Sequence, residues 1–132
     1  AMRILIVEDD FVGRKIMHKL LMEYGECDIA VDGAEAVKAF DLAWESGNPY
    51  DVLFLDIMMP NMSGHEALQV IRAKEKERGV PLSKEVKVIM TSALDDVKNV
   101  TQSFFQGGAS AYLVKPIERR KIIDELRKLE LI

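Results

Sequence analysis

Several short apolar runs in this sequence end in side chains that can hold a metal ion or a phosphate group. The first run leads into the acidic triplet EDD at 8–10, and a later run ends in Asp56. Two further runs lead into Thr91 and Lys115. Each of these residues alone has an ordinary explanation, such as a helix cap or a turn. Their occurrence at the ends of four runs favours one shared chemical role.

Two of the carboxylates, those of Asp9 and Asp56, repel each other if the strands that carry them are neighbours. Like charges about 4 Å apart repel by roughly 4 kcal/mol at an effective dielectric constant near 20, a large part of a domain's stability. Lys115 supplies one compensating charge, and a bound cation would satisfy carboxylates that one ammonium cannot span. Oxygen ligands, with room for water and a phosphoryl group, favour Mg²⁺ over Ca²⁺.

The same residues could transfer a phosphoryl group. A carboxylate can attack phosphorus and form an acyl phosphate, provided that cations neutralise the charge on the transferred group. Asp56 is the candidate nucleophile. Lys115 and Thr91 would hold the phosphoryl oxygens, the first by a charge-assisted contact and the second through its hydroxyl.

Alternating strands and helices must position these side chains. Apolar runs at 3–7, 27–31, 51–55, 86–90 and 111–114 are typical of strands, and helical periodicity follows each of them. This alternation predicts an α/β fold, a doubly wound five-stranded parallel sheet with helices on both faces. Five such units most often adopt the flavodoxin-like order 2-1-3-4-5, with a ligand crevice at the carboxyl ends of strands 1 and 3.

Each predicted helix is expected to bury one apolar face. Along the chain these faces comprise Val12, Ile16, Met17, Leu20 and Leu21; Val37, Phe40 and Trp44; Ala67, Leu68 and Ile71; Val97, Val100, Thr101 and Phe104; and Ile122, Ile123, Leu126 and Leu129. Asp10, Asp32 and Ser63 are expected to begin the first three helices. The charged stretch at 74–85 is expected to be a solvated helix end and connector.

Composition limits the class of protein. With 132 residues, 48% of them hydrophobic, the chain suits one domain over residues 1–132, with Ala1 as a cloning remnant. A net charge of −4 argues against direct nucleic-acid binding. The single cysteine, Cys27, cannot form an internal disulfide, which predicts a cytoplasmic protein. No apolar span approaches membrane length, so no membrane association is expected.

Four motifs together resemble the receiver domain of two-component response regulators, in particular the chemotaxis regulators. They are LIVEDD, FLDIMMPNMSG, VIMTSA and AYLVKPI, and the resemblance covers essentially the whole chain. It implies that Asp56 is the phosphoacceptor. It also implies that Asp9 binds Mg²⁺ directly, that Glu8 acts mainly through water, and that the backbone carbonyl of Met58 is a third protein ligand.

The resemblance also assigns roles on the neighbouring strands. Thr91 and Lys115 match the phosphoryl-binding hydroxyl and ammonium of the family, and Tyr112 matches the aromatic residue that changes rotamer on activation. The Lys115–Pro116 bond resembles the family's cis peptide, which proline makes accessible.

The implied function is a signalling switch, not a conventional enzyme. A sensor histidine kinase or a phosphotransfer protein would donate the phosphoryl group, and the protein would catalyse its own phosphorylation. Autodephosphorylation should be slow, because neither Met58 nor Ala93 can orient a water molecule. The partner of the switched surface would be a downstream protein or an output domain missing from this sequence. A phosphorylation-dependent dimer is a further alternative that the sequence does not decide.

Three other functions are alternatives to this switch. A phosphatase of the haloacid-dehalogenase type needs a second aspartate two residues after its nucleophile, where this chain has Met58. A flavodoxin-like cofactor binder needs a phosphate loop rich in Ser, Thr or Gly after the first strand, where EDD would repel a phosphate. A phosphorylation-independent scaffold fits the fold but leaves Asp56, Thr91 and Lys115 unexplained.

Overall fold

Five parallel strands form one sheet in the computed structural model, which describes residues 2–93 and 108–132. The strands are β1 (Met2–Val7), β2 (Gly25–Ala30), β3 (Val52–Asp56), β4 (Lys87–Ser92) and β5 (Ala111–Val114). Their order is β2-β1-β3-β4-β5, and every neighbouring pair is parallel. The predicted fold class and strand order are therefore confirmed.

Four helices lie within the described residues. They are α1 (Phe11–Leu21), α2 (Gly33–Glu45), α3 (Gly64–Glu77) and α4 (Arg119–Lys128), with a short 3-10 turn at Leu82–Lys84. The helix predicted around residues 97–104 lies outside the described residues. No helix in the described part of the chain is both long and apolar enough to cross a membrane.

The first three helices begin at the predicted capping residues. The side chains of Asp10, Asp32 and Ser63 each accept a hydrogen bond from a backbone N–H three residues further on. In α3 the Glu66 carboxylate also accepts from the backbone N–H of Ser63, which completes a capping box. These caps satisfy backbone donors that a helix start otherwise leaves unpaired.

The sheet has an apolar core on each face. All five residues of β3 are buried, because helices cover both sides of this central strand. Alternate strand residues point to opposite faces. One core packs Leu5, Leu53 and Met90 against α2 and α3, and the other packs Ile4, Phe54 and Ile89 against α1 and α4.

The buried face of α1 is narrower than its helical periodicity predicts. Met17 and Leu21 are buried as expected, but Val12 and Ile16 are 60% and 50% exposed. Both exposed residues lie roughly 100° or more around the helix axis from Met17. Trp44 of α2 is likewise partly exposed, and the Arg78 guanidinium lies 5.2 Å from its ring centroid. Helical periodicity identifies the buried side of a helix but not the width of that side.

A charged residue in the stretch at 74–85 contradicts the prediction of a solvated connector. Glu75 is only 2% exposed. Its carboxylate accepts hydrogen bonds from the Arg72 guanidinium and from the Val86 backbone N–H, each at 2.7 Å. Arg72 also donates to the backbone carbonyl of Gly108. The buried charge is tolerated because it is paired and hydrogen-bonded, and the pair joins α3 to the segments that enter β4 and β5.

Candidate functional site

The carboxyl ends of four strands bring the predicted site residues to one edge of the sheet. Glu8 and Asp9 follow β1, and Asp56 is the last residue of β3. Thr91 of β4 is the direct register partner of Asp56. Lys115 follows β5, and its backbone N–H donates to the carbonyl of Ser92 at the end of β4. Parallel pairing therefore places four separate sequence segments around one crevice.

Three carboxylates crowd together in this crevice. One oxygen each from Glu8, Asp9 and Asp56 lies within 4.8 Å of the other two. Glu8 and Asp56 are 4% and 3% exposed, whereas Asp9 is exposed to solvent. Oxygen donors around a site that is open on one side suit a small hard cation that keeps several water ligands. The residues therefore fit Mg²⁺.

One ammonium group contacts two of these carboxylates. Lys115 Nζ donates to Glu8 Oε1 at 2.7 Å and to Asp56 Oδ2 at 3.3 Å. Burial would lower the pKa of Lys115, but the hydrogen bond to Glu8 and the charges of Asp56 and Glu8 outweigh it and raise this pKa. Lys115 therefore stays charged, and it balances only one of the three negative charges.

The imbalance shifts the pKa values of the two buried carboxyl groups in opposite directions. Burial, together with the hydrogen bond and charge of Glu8, raises the pKa of Asp56 to about 7, although Lys115 opposes the shift. The pKa of Glu8 is lowered overall. Burial acts to raise it, but the hydrogen bonds of Glu8 with Asp56 and Lys115 outweigh burial. Without a metal ion, the pair therefore holds a proton on Asp56 well above the usual aspartate range.

The remaining predicted site residues surround this cluster. The backbone N–H of Met58 donates to Asp56 Oδ1 at 3.2 Å, while the Met58 side chain points largely into solvent. Thr91 is buried, and Tyr112 of β5 is 40% exposed. The Lys115–Pro116 peptide is cis, as predicted. The structure thus brings the carboxylates and the ammonium into contact, places Thr91 beside Asp56, and leaves Tyr112 at the surface. The role of each residue stays a prediction.

The loop from β3 to α3 returns very close to the phosphoacceptor candidate. A Cβ at Gly64 would lie 2.3 Å from the Asp56 carbonyl oxygen and 2.8 Å from Ile57 Cα. The Gly64 N–H donates to the Ile57 carbonyl at 2.8 Å. Only a glycine permits this approach. The sequence pattern at Pro60 and Gly64 predicts no more than an ordinary turn.

Two residues of α1 that support the site were missed from the sequence. The Arg14 guanidinium donates to the backbone carbonyls of Glu8 and Asp9, at 3.1 and 2.9 Å. Gly13 packs directly against the Glu8 side chain. A glycine inside a helical pattern is the one signal that could have drawn attention to this turn, because it is unfavourable there without a packing reason.

Comparison with known proteins identifies the family. The sequence model for the response regulator receiver domain matches residues 4–127. The chain belongs to the response regulator receiver domain family. It is similar to the chemotaxis protein CheY of Treponema pallidum, with 34% identity over 94% of this chain and 79% of that protein. It is also similar to probable histidine kinase 2 of Oryza sativa subsp. indica, with 35% identity over 94% of this chain, but it spans only 12% of that protein.

A solved structure shows the same likeness in three dimensions. The receiver domain of the histidine kinase CKI1 from Arabidopsis thaliana, complexed with Mg²⁺ and BeF₃⁻, is 28% identical with a TM-score of 0.81. The match covers 99% of this chain and 91% of that one. This receiver domain therefore belongs to two-component signalling, where receiver domains take phosphoryl groups from histidine kinases or phosphotransfer proteins.

Proposed function

We propose that this receiver domain is a magnesium-dependent switch in which Asp56 accepts the phosphoryl group. The proposal rests mainly on the three clustered carboxylates, of which two share a single ammonium. Asp9 and Asp56 would hold Mg²⁺ directly, with the Met58 carbonyl as a third protein ligand and Glu8 acting through water. The cation would neutralise negative charge on the transferred group.

Asp56 would act as the nucleophile in this transfer. A carboxylate oxygen of Asp56 forms a bond to phosphorus while the bond from phosphorus to the donor's imidazole nitrogen breaks, and the imidazole leaves with the electron pair. Lys115 Nζ lies 3.3 Å from Asp56 Oδ2, close to where the phosphoryl oxygens would sit. The Thr91 hydroxyl would hydrogen-bond to a second phosphoryl oxygen.

The acyl phosphate should be long-lived. Hydrolysis needs a water molecule held in line with the bond between phosphorus and Asp56. The side chains two residues beyond Asp56 and Thr91 are Met58 and Ala93. The Ala93 methyl has no hydrogen-bonding atom and the Met58 thioether is only a weak acceptor, so neither is suited to orienting such a water. The domain would therefore catalyse its own phosphorylation and release phosphate slowly, without turnover of an external substrate.

The output would be a change of surface at β5. A phosphoryl group adds close to two negative charges, and it would draw Thr91 inward and leave room for the Tyr112 ring to turn. The switched surface would comprise the predicted helix around residues 97–104, β5 and α4. This is a population shift between two states of one fold, read by a downstream protein, an output domain or a second copy of the chain.

A modification experiment tests the phosphoacceptor assignment. The protein is incubated with Mg²⁺ and acetyl phosphate, and the adduct is located by peptide mass spectrometry. Asp56→Asn should lose the adduct. Asp51→Asn is the matched control, because Asp51 immediately precedes the opposite end of the same strand, where its carboxylate accepts from the backbone N–H of Arg3. An adduct that survives in Asp56→Asn, or no adduct in the wild type, contradicts the proposal.

A further inference from the structure

Gly13 occupies a helical position that does not require a glycine for backbone reasons. It is the third residue of α1, and its φ angle lies outside the left-handed region. In a helix interior, glycine is less favourable than alanine by roughly 0.5–1 kcal/mol. Helix stability alone would therefore favour alanine, so the reason for this glycine must lie in what it packs against.

The space beside Gly13 is filled by the Glu8 side chain. A Cβ at Gly13 would lie 2.9 Å from Glu8 Oε1 and 3.1 Å from both Cδ and Cγ. Glu8 has little freedom to move aside. Its Oε1 accepts from Lys115 Nζ at 2.7 Å, and its Oε2 accepts a longer hydrogen bond from the Asp10 N–H at 3.4 Å. A side chain at residue 13 would displace the carboxylate from the contacts that fix it in the acidic cluster.

We propose that Gly13 is a positioning residue for Glu8. Its missing side chain gives the Glu8 chain, which is one methylene longer than aspartate, the space to place its carboxylate beside Asp56 and Lys115. Gly13 touches none of the reacting atoms and acts only through Glu8. The inference rests on the proposed function, because the position of Glu8 matters for signalling only if this cluster binds Mg²⁺ and supports phosphorylation.

The proposal predicts that stability and function respond differently to Gly13→Ala. The alanine should change the unfolding midpoint in magnesium-free buffer only slightly, because the gain in helix stability offsets the cost of displacing Glu8 from Lys115. It should weaken Mg²⁺ binding, measured by calorimetry, by roughly tenfold, as expected for a residue that orients a group at a metal site. Phosphorylation by acetyl phosphate should slow in parallel. A purely structural glycine would not produce this separation.

Shortening the acidic side chain at position 8 should restore the Mg²⁺ binding that Gly13→Ala weakens. Glu8→Asp removes the methylene that would overlap with the new Cβ, so the double variant Gly13→Ala, Glu8→Asp should recover most of the Mg²⁺ affinity lost in Gly13→Ala. Val12→Ala is the matched control, because Val12 lies in the same turn with its side chain 60% exposed. Wild-type Mg²⁺ affinity in Gly13→Ala, or no recovery in the double variant, overturns the proposal.

Failure of the proposed function would be seen separately. If the wild-type chain neither binds Mg²⁺ nor forms an adduct at Asp56, the phosphoacceptor proposal fails. Unfolding midpoints of the wild type, both single variants and the double variant, all measured without Mg²⁺, still test the packing of Gly13 against Glu8. Non-additive midpoints support the positioning role, and additive midpoints overturn it.

Discussion

Two glutamates are buried at opposite edges of the sheet, and their surroundings differ. Glu75, at the edge where β4 begins, has one arginine partner and one backbone N–H on its carboxylate. Glu8, at the carboxyl edge, shares the Lys115 ammonium with Asp56, and Asp9 lies beside them. The first charge is balanced within the chain, and the second belongs to a cluster that is short of positive charge. Burial of a charge is therefore compatible with either a structural or a ligand-binding role, and the local charge balance distinguishes the two.

Breaking the balanced pair should have the largest effect on stability. Glu75→Ala leaves the partly buried Arg72 guanidinium with only the longer contact to Glu85, at 4.0 Å, and removes the acceptor of the Val86 N–H. The free energy of unfolding should fall by about 3 kcal/mol, since the loss of the close partner leaves the buried charge poorly compensated. Urea unfolding measures this change. The acetyl phosphate adduct on the folded variant should be unchanged, and a loss below about 1 kcal/mol would contradict the structural role.

Removing a charge from the unbalanced cluster should raise the free energy of unfolding, whereas breaking the balanced pair lowers it. Asp56→Asn relieves repulsion with Glu8, so in magnesium-free buffer the free energy of unfolding should rise by roughly 2 kcal/mol. Added Mg²⁺ should narrow the difference, because it stabilises only the protein that binds it. A destabilised Asp56→Asn variant in magnesium-free buffer would show that the cluster is balanced in some other way.

The pH dependence of this difference has a definite sign. The folded protein retains a proton on Asp56 up to about pH 7, whereas the ordinary pKa of the group is 3.8. The folded state therefore binds more protons in this interval, and its stability falls as the pH rises through it. Asp56→Asn has no carboxyl group at this position and therefore lacks this pH-dependent loss of stability. Its advantage over the wild type should be larger at about pH 8 than at about pH 5, in urea unfolding without Mg²⁺.

Breaking a partly exposed ion pair should have the smallest effect on the free energy of unfolding. Asp41 of α2 accepts from Arg78 at 2.6 Å and contacts Lys74 Nζ at 3.0 Å, with all three side chains partly exposed. Burial acts to raise the pKa of Asp41, but the hydrogen bonds from Arg78 and Lys74 outweigh burial and lower this pKa. Lys74→Ala should change the free energy of unfolding by no more than about 0.5 kcal/mol, because solvent screens such pairs. A loss comparable to that of Glu75→Ala would show that burial is not the deciding variable.

Most of the fold and the location of the candidate site can be predicted from the sequence. Alternating strand and helix patterns predict the parallel sheet, and the strand ends predict which side chains meet, because parallel strands all finish at one edge. Asp56 and Thr91, 35 positions apart in the sequence, are register partners for that reason. The helix starts at Asp10, Asp32 and Ser63 were also predictable, since capping depends on residues only a few positions apart.

Features that depend on contacts between distant segments were not predictable from local patterns. Val12 and Ile16 fit helical periodicity, yet the sheet covers only the side of α1 that carries Met17 and Leu21. Glu75 lies in a charged stretch, and its burial depends on Arg72 one turn earlier and on a backbone N–H eleven residues later. The contact between Gly13 and Glu8 spans only five positions, but it depends on how the turn between β1 and α1 places the helix over the Glu8 side chain.

The close approach at Gly64 limits how this domain can be redesigned. The first residue of α3 rests on the backbone at the end of β3, with no side-chain volume available between them. A library intended to alter the lifetime of the proposed acyl phosphate can vary the exposed side chain at position 58 but should keep position 64 constant. Any larger residue there would shift the backbone of Asp56, and with it the carboxylate that is proposed as the acceptor. Selection would then report a displaced side chain and not a changed reaction.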